Sequence, residues 1–239
     1  MRNRNTGRKI AGACLIAAPL ALTAAMAIAP WFVADTGELL TALAANRSAL
    51  LAADLLVLVG VVLLIPASLG LLRVLRDRTP RLAPVAVGMF LVGWLFVLGP
   101  VMLDRVELQL AESGMPREEA VAFVGRLEAD AGISVIFGVF IIGHTLGAIL
   151  LGAALARARF VPMWAAASLV LAAVLHPIAR VGLGSQWLDV VAFALLALGL
   201  GVTGVRVLRM SDDEWEPRRE RVEPVVTRGE RELVSSGAP

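Results

Sequence analysis

Apolar residues in this chain neither alternate with polar ones nor, for most of its length, form a helical stripe. They come in long unbroken runs: Ile10–Val33, Ala49–Leu72, Pro84–Leu103, Ile133–Ala156, Phe160–Val181 and Trp187–Val207. A helix rises about 1.5 Å per residue, so roughly 20 apolar residues cross the ~30 Å of bilayer hydrocarbon. Each run meets that length, and none has the two-residue period of a barrel strand. The pattern predicts an all-α fold, a polytopic membrane protein built as a six-transmembrane-helix bundle.

Between the third and fourth runs the pattern changes. The segment from Asp104 to Gly132 is the longest connection and is acidic. In it, Met115-Pro116-Arg117-Glu118-Glu119 reads as a helix start, with proline in the first turn and carboxylates at the positive end of the dipole. Ala120, Phe123, Val124 and Leu127 then recur at helical spacing, with Arg126, Glu128 and Asp130 on the other face. This predicts an amphipathic outer helix resting on the bundle or the lipid interface, with a lid over the bundle mouth as the alternative. Two links, Arg157-Ala158-Arg159 and Gly182-Leu183-Gly184-Ser185-Gln186, make spans four, five and six antiparallel neighbours. From Ser211 the chain carries five Arg, eight acidic residues and Pro217, Pro224 and Pro239, which predicts a disordered tail. The plan is a basic N-terminus over 1–9, a transmembrane domain over 10–210 and a tail over 211–239.

Composition agrees. With 58% hydrophobic and 18% charged residues in 239, a soluble fold has too little interior to hide the apolar surface. A cytosolic enzyme domain, a secreted disulfide scaffold and a nucleic-acid module are excluded. The lone Cys14 cannot form an intrachain disulfide. Net charge is only +2, but its placement is informative. Arg2, Arg4, Arg8 and Lys9 precede span one, and Arg73, Arg76, Arg78 and Arg81 follow span two. Arg157 and Arg159 follow span four, and Arg206 and Arg209 close span six. The positive-inside rule then predicts a cytoplasmic-membrane protein with both termini in the cytoplasm. Trp31 and Trp187 would anchor the outer interface and Trp164 the inner one. The basic start and Ala25-Met26-Ala27 of the first run also fit a cleaved secretory signal, but the apolar run continues to Val33.

Small residues mark where membrane helices approach closely. Gly143 and Gly147 form a small-xxx-small pair in span four, whose expected use is packing within the chain, with a homodimer through the pair as the alternative. Ionisable residues at membrane depth are expensive and therefore candidate functional groups. Asp54, His144, His176, Arg180 and Asp189 are the candidate ligand-binding residues, and all but His144 fall in the outer half. Arg180 and Asp189 flank one turn and are expected to pair, while Asp54 would draw on Arg180, His176 or Arg47. Pro177 removes an amide hydrogen next to His176 and either opens an outer cavity or relieves the helix.

The first reading of the cluster is a structural network with no chemistry, and three functional uses stand beside it. The leading functional use is a non-enzymatic binding or accessory protein with an outer pocket for a small or lipidic ligand. A second is a haem on His144 and His176, serving electron transfer. The estimated depths of the two differ by roughly 7–8 Å at ~1.5 Å per residue, so that haem would sit tilted. A third is a metal-dependent hydrolase using His176, Asp54 and Asp189. There is no Gly-Lys-Ser/Thr loop, Gly-x-Ser-x-Gly elbow or Cys pair, so no residue is assigned as catalytic.

The stretch Gly143-His144-Thr145-Leu146-Gly147, then Leu150-Leu151-Gly152-Ala153-Ala154-Leu155, Arg157-Ala158-Arg159, Val161-Pro162-Met163-Trp164-Ala165-Ala166 and Leu175-His176-Pro177, carries a resemblance. It resembles six-helix integral membrane proteins common in actinobacteria, related to a bacterial family filed as a domain of unknown function. The likeness implies the six-helix fold and no chemistry. Those proteins often carry a His near the end of the first span, where this chain has Ala29-Pro30-Trp31.

Overall fold

In the computed structural model, which describes residues 4–216, all regular structure is helical. The helices are α1 (Arg4–Ile28), α2 (Thr36–Ala45), α3 (Arg47–Leu75), α4 (Leu82–Leu95), α5 (Leu98–Glu112) and α6 (Arg117–Glu128). They continue as α7 (Ala131–Arg157), α8 (Met163–Pro177), α9 (Gln186–Arg209) and the short α10 (Asp212–Trp215). Six segments are long and apolar enough to cross a membrane, with α4 and α5 together forming the third. The chain is a multi-pass membrane protein in that sense.

Packing closes the spans into a ring. α1 packs on α3, α3 on α4, α4 on α7, α7 on α8, α8 on α9, and α9 returns to α1. Close approach is bought by small residues rather than by hydrophobicity, which drives little between helices already in lipid. A Cβ on Gly147 would collide with the backbone of Phe90, and one on Gly143 with that of Gly93. The glycine pair of span four is therefore used against α4 inside one chain. That is the packing within the chain expected of the pair. α1 is sealed in the same way, with Leu15, Ala18, Leu22 and Ala25 fully buried and Gly12 against Gly204 of α9.

Helix ends are tied across the ring. Gln186 Nε2 donates to the carbonyls of Met26 at 3.0 Å and Ala29 at 3.1 Å, taking up acceptors that the end of α1 leaves free. At the arginine-rich end, Arg8 donates to the carbonyls of Leu208 and Met210 at the end of α9 and pairs with Asp212 at 3.3 Å. The expectation of disorder from Ser211 onward is corrected for its first six residues. Ser211 and Glu214 form a capping box, and Trp215 is 7% exposed, its ring against Gly70 and under the Arg73 guanidinium at 5.1 Å. The buried ring, the capping box and the Arg8–Asp212 pair together hold this short, otherwise charged segment. Residues 217–239 of the expected tail lie outside the described residues.

At the opposite end the expected amphipathic helix is present as α6. Its Ala120 and Val124 bury against Leu40 of α2, a helix the apolar pattern did not reveal. α2 is started by Asp35, whose carboxylate accepts from the Glu38 amide at 2.8 Å. The third span also differs from expectation. It does not stop at Leu103 but runs on to Glu112, carrying Asp104, Arg105 and Glu107 beside the bundle interior.

Candidate functional site

The ring encloses a polar and aromatic cluster that leads into a cavity towards the α6 end. Proline sets its floor. Pro177 cannot donate an amide hydrogen, and the chain beyond it widens into a π turn over Ile178–Gly182, closed by Leu183 N–H donating to the Ile178 carbonyl at 2.9 Å. The wider turn carries Arg180 outward, where its guanidinium lies over Trp31 at 5.5 Å and Phe32 at 4.8 Å.

The expected Arg180–Asp189 pair is thereby corrected. Asp189, fully buried in the first turn of α9, takes His176 instead, with Nδ1 and Oδ1 at 2.5 Å. A carboxylate only accepts, so Nδ1 carries the hydrogen and Nε2 is left as the free ring nitrogen. This geometry orients a histidine as a carboxylate does in metal and acid–base sites. His144 is fixed likewise: Nδ1–H donates to the Phe140 carbonyl at 2.6 Å, and the ring stacks on Phe140 at 4.6 Å.

The two histidine rings meet edge to face at 5.2 Å. Trp94 leans on His144 at 5.4 Å and Phe193 on His176 at 5.2 Å. The sequence separates the two rings in depth, but the packed helices bring them into contact. Direct ring contact walled by aromatics leaves no slot for a planar macrocycle between the imidazoles, so the residues do not fit a bis-His haem. The hydrolase set is not assembled either. Asp54, 2% exposed, is held by Arg105 of α5 rather than by Arg180, His176 or Arg47, and Arg47 pairs with Glu112 at 3.7 Å. Among the described residues no three His, Cys, Asp or Glu side chains converge as a metal-binding group.

Above this cluster lies a partly open cavity of about 490 Å³. Its walls are apolar and aromatic, from Trp31, Trp94, Phe137, Phe140 and Phe193. Of the five candidates from sequence, His176 and Arg180 line it. His144 borders a small void beneath, while Asp54 and Asp189 act from behind as partners of Arg105 and His176. The carboxylates that face the cavity are Asp104, Glu107 and Glu128, none of which was a candidate. Asp104 and Glu107, with Arg105 and Glu112, lower the hydropathy of 104–112, and that segment reads as loop. One signal was present: no glycine or proline interrupts the chain from Val101 to Ser113, and Val101 and Leu108 stand two helical turns apart and are both buried.

Each carboxylate of the two buried pairs keeps one oxygen, Asp54 Oδ1 and Asp189 Oδ2, without a hydrogen-bond partner among the described residues. The same holds for the indole N–H groups of Trp31 and Trp94, both on cavity-lining residues. No family model matches the chain, and no curated protein or solved structure is significantly similar to it.

Proposed function

We propose that this protein is a binding or accessory component of the cytoplasmic membrane that holds a small or lipidic ligand in the aromatic cavity. The cavity itself carries the reading. At about 490 Å³ it falls within the ~300–1,000 Å³ of small-molecule sites, and its mix of apolar wall and few polar groups is theirs. The surrounding pairs, Asp54 with Arg105 and His176 with Asp189, tie α3 to α5 and α8 to α9 and so hold the walls in place. The arginines clustered at the end opposite α6 support an orientation with that end, and both termini, in the cytoplasm. The cavity then opens towards the outer face. Kinship with the six-helix actinobacterial proteins is part of the same proposal and rests on the motif around His144 and His176.

The test is native mass spectrometry of protein purified in mild detergent, with extraction and identification of the bound molecule. A ligand retained by the natural chain and lost from Leu103→Trp, which places an indole in the cavity, is the expected result. A bare polypeptide mass in both would refute the binding reading. A reporter fluorescent only in the cytoplasm, fused after Pro239, checks the orientation.

A further inference from the structure

The charge balance of the cavity identifies the class of ligand, an inference that rests on the binding function proposed above. Glu107 is 5% exposed and lines the cavity. It forms no hydrogen bond or ion pair with any described residue, yet its oxygens are not among the sealed, partnerless atoms. What exposure this carboxylate keeps is therefore into the cavity. Asp104, half-buried, and Glu128, exposed at the mouth, line the same space; neither makes a salt bridge at contact distance among the described residues, though Asp104 has the Arg180 and Arg105 guanidiniums near it. Against three carboxylates the lining offers one guanidinium, Arg180, which lies over the faces of Trp31 and Phe32 and within electrostatic reach of Asp104, so that Glu107 is the carboxylate it leaves unbalanced. His176 is engaged by Asp189.

A buried carboxylate without a partner is relieved either by a proton or by a positive charge, and the second is what a ligand can bring. A metal ion does not fit, because no three ligating side chains converge among the described residues and the remaining wall is aromatic and aliphatic. An anionic head group would meet like charge. An organic cation satisfies both parts of the site: aromatic faces attract ammonium or phosphonium centres through their quadrupole, and the apolar wall takes a hydrocarbon body. We propose that the cavity binds an amphipathic organic cation, its positive centre at Glu107 and its apolar body against Trp94, Phe137, Phe140 and Phe193. An amine-bearing lipid and a free hydrophobic amine share this chemistry.

The experiment is equilibrium dialysis of tetraphenylphosphonium against the full-length protein in maltoside micelles. Tetraphenylborate, of the same shape and opposite charge, is the counter-probe. Saturable binding of the cation but not the anion is expected. Glu107→Gln, nearly isosteric, should weaken it about tenfold, the size of one lost charge-assisted contact. Glu107→Asp, which keeps the charge, should retain most of it and shows that the loss does not come from misfolding. Displacement by phosphatidylethanolamine alone points to a lipid source, and displacement by tetrapentylammonium alone to a free solute; both uphold the proposal. Equal binding by Glu107→Gln and the natural chain overturns it, since Glu107 then acts as a neutral group. Preference for tetraphenylborate overturns the cation while leaving the cavity a binding site, and binding of neither probe overturns the cation without deciding between other ligands, which native mass spectrometry reads separately.

Discussion

Removing Arg105 should damage this protein more than removing Asp54, although the two form one ion pair. The asymmetry comes from burial. Asp54 is almost wholly enclosed on α3, whereas Arg105 is 28% exposed and has a long stem that can carry its charge towards water. Arg105→Leu strands a carboxylate among apolar neighbours, and breaking a buried pair in this way costs about 3–5 kcal/mol. A ceiling applies, because a stranded carboxylate can take a proton instead. For an aspartate with the ordinary value near 3.9, neutralisation at pH 7 spans about three pH units at ~1.36 kcal/mol each, so the loss is capped near 4 kcal/mol. At pH 5 the same ceiling is about 1.5 kcal/mol. Asp54→Leu leaves a guanidinium that can reach solvent, at a cost of about 1–2 kcal/mol. The double variant, with neither charge, should return to within ~1 kcal/mol of the natural chain. Unfolding by SDS titration in mixed micelles at pH 7 and pH 5 measures the whole cycle. Additive single effects, an Arg105→Leu loss that does not shrink at pH 5, or a larger loss for Asp54→Leu would refute the reasoning.

Three further outcomes are expected. Gly147→Leu, whose side chain would enter the backbone of Phe90, should lower stability by about 2 kcal/mol in the same assay, while Gly138→Leu, which faces open space, stays within ~0.5 kcal/mol. Trp215→Ala should release the segment after Met210, seen as roughly tenfold faster tryptic cleavage at Arg209 without loss of the bundle. The Ser211 amide and hydroxyl hold the Glu214 carboxyl below the ordinary glutamate value of 4.5, so the cap is complete above that value and is lost as pH falls through the lowered one. A carbon-13 titration of Glu214 should show that lowered midpoint, moving up part of the way in Ser211→Ala, where the backbone contact survives.

The demands of lipid are local, and the sequence met them legibly. A run of some 20 apolar residues needs no knowledge of its neighbours to be a span, and so the six spans and the helical class could be read directly. The amphipathic α6 was equally local, its stripe and its start lying within a dozen residues. The partners of the polar groups were another matter. Whether Asp54 meets Arg105 or Arg180 depends on how α3 and α5 register, and whether His144 touches His176 depends on the approach of α7 to α8. Those relations are set by packing between segments far apart in the chain, with the glycine contacts fixing helix separation. The same packing decided that Asp104, Arg105 and Glu107, too charged to look like membrane helix, extend the third span along the cavity. Sequence located the protein in its solvent, and only the assembled ring chose which charges pair and left Glu107, among the described residues, buried without an opposite charge.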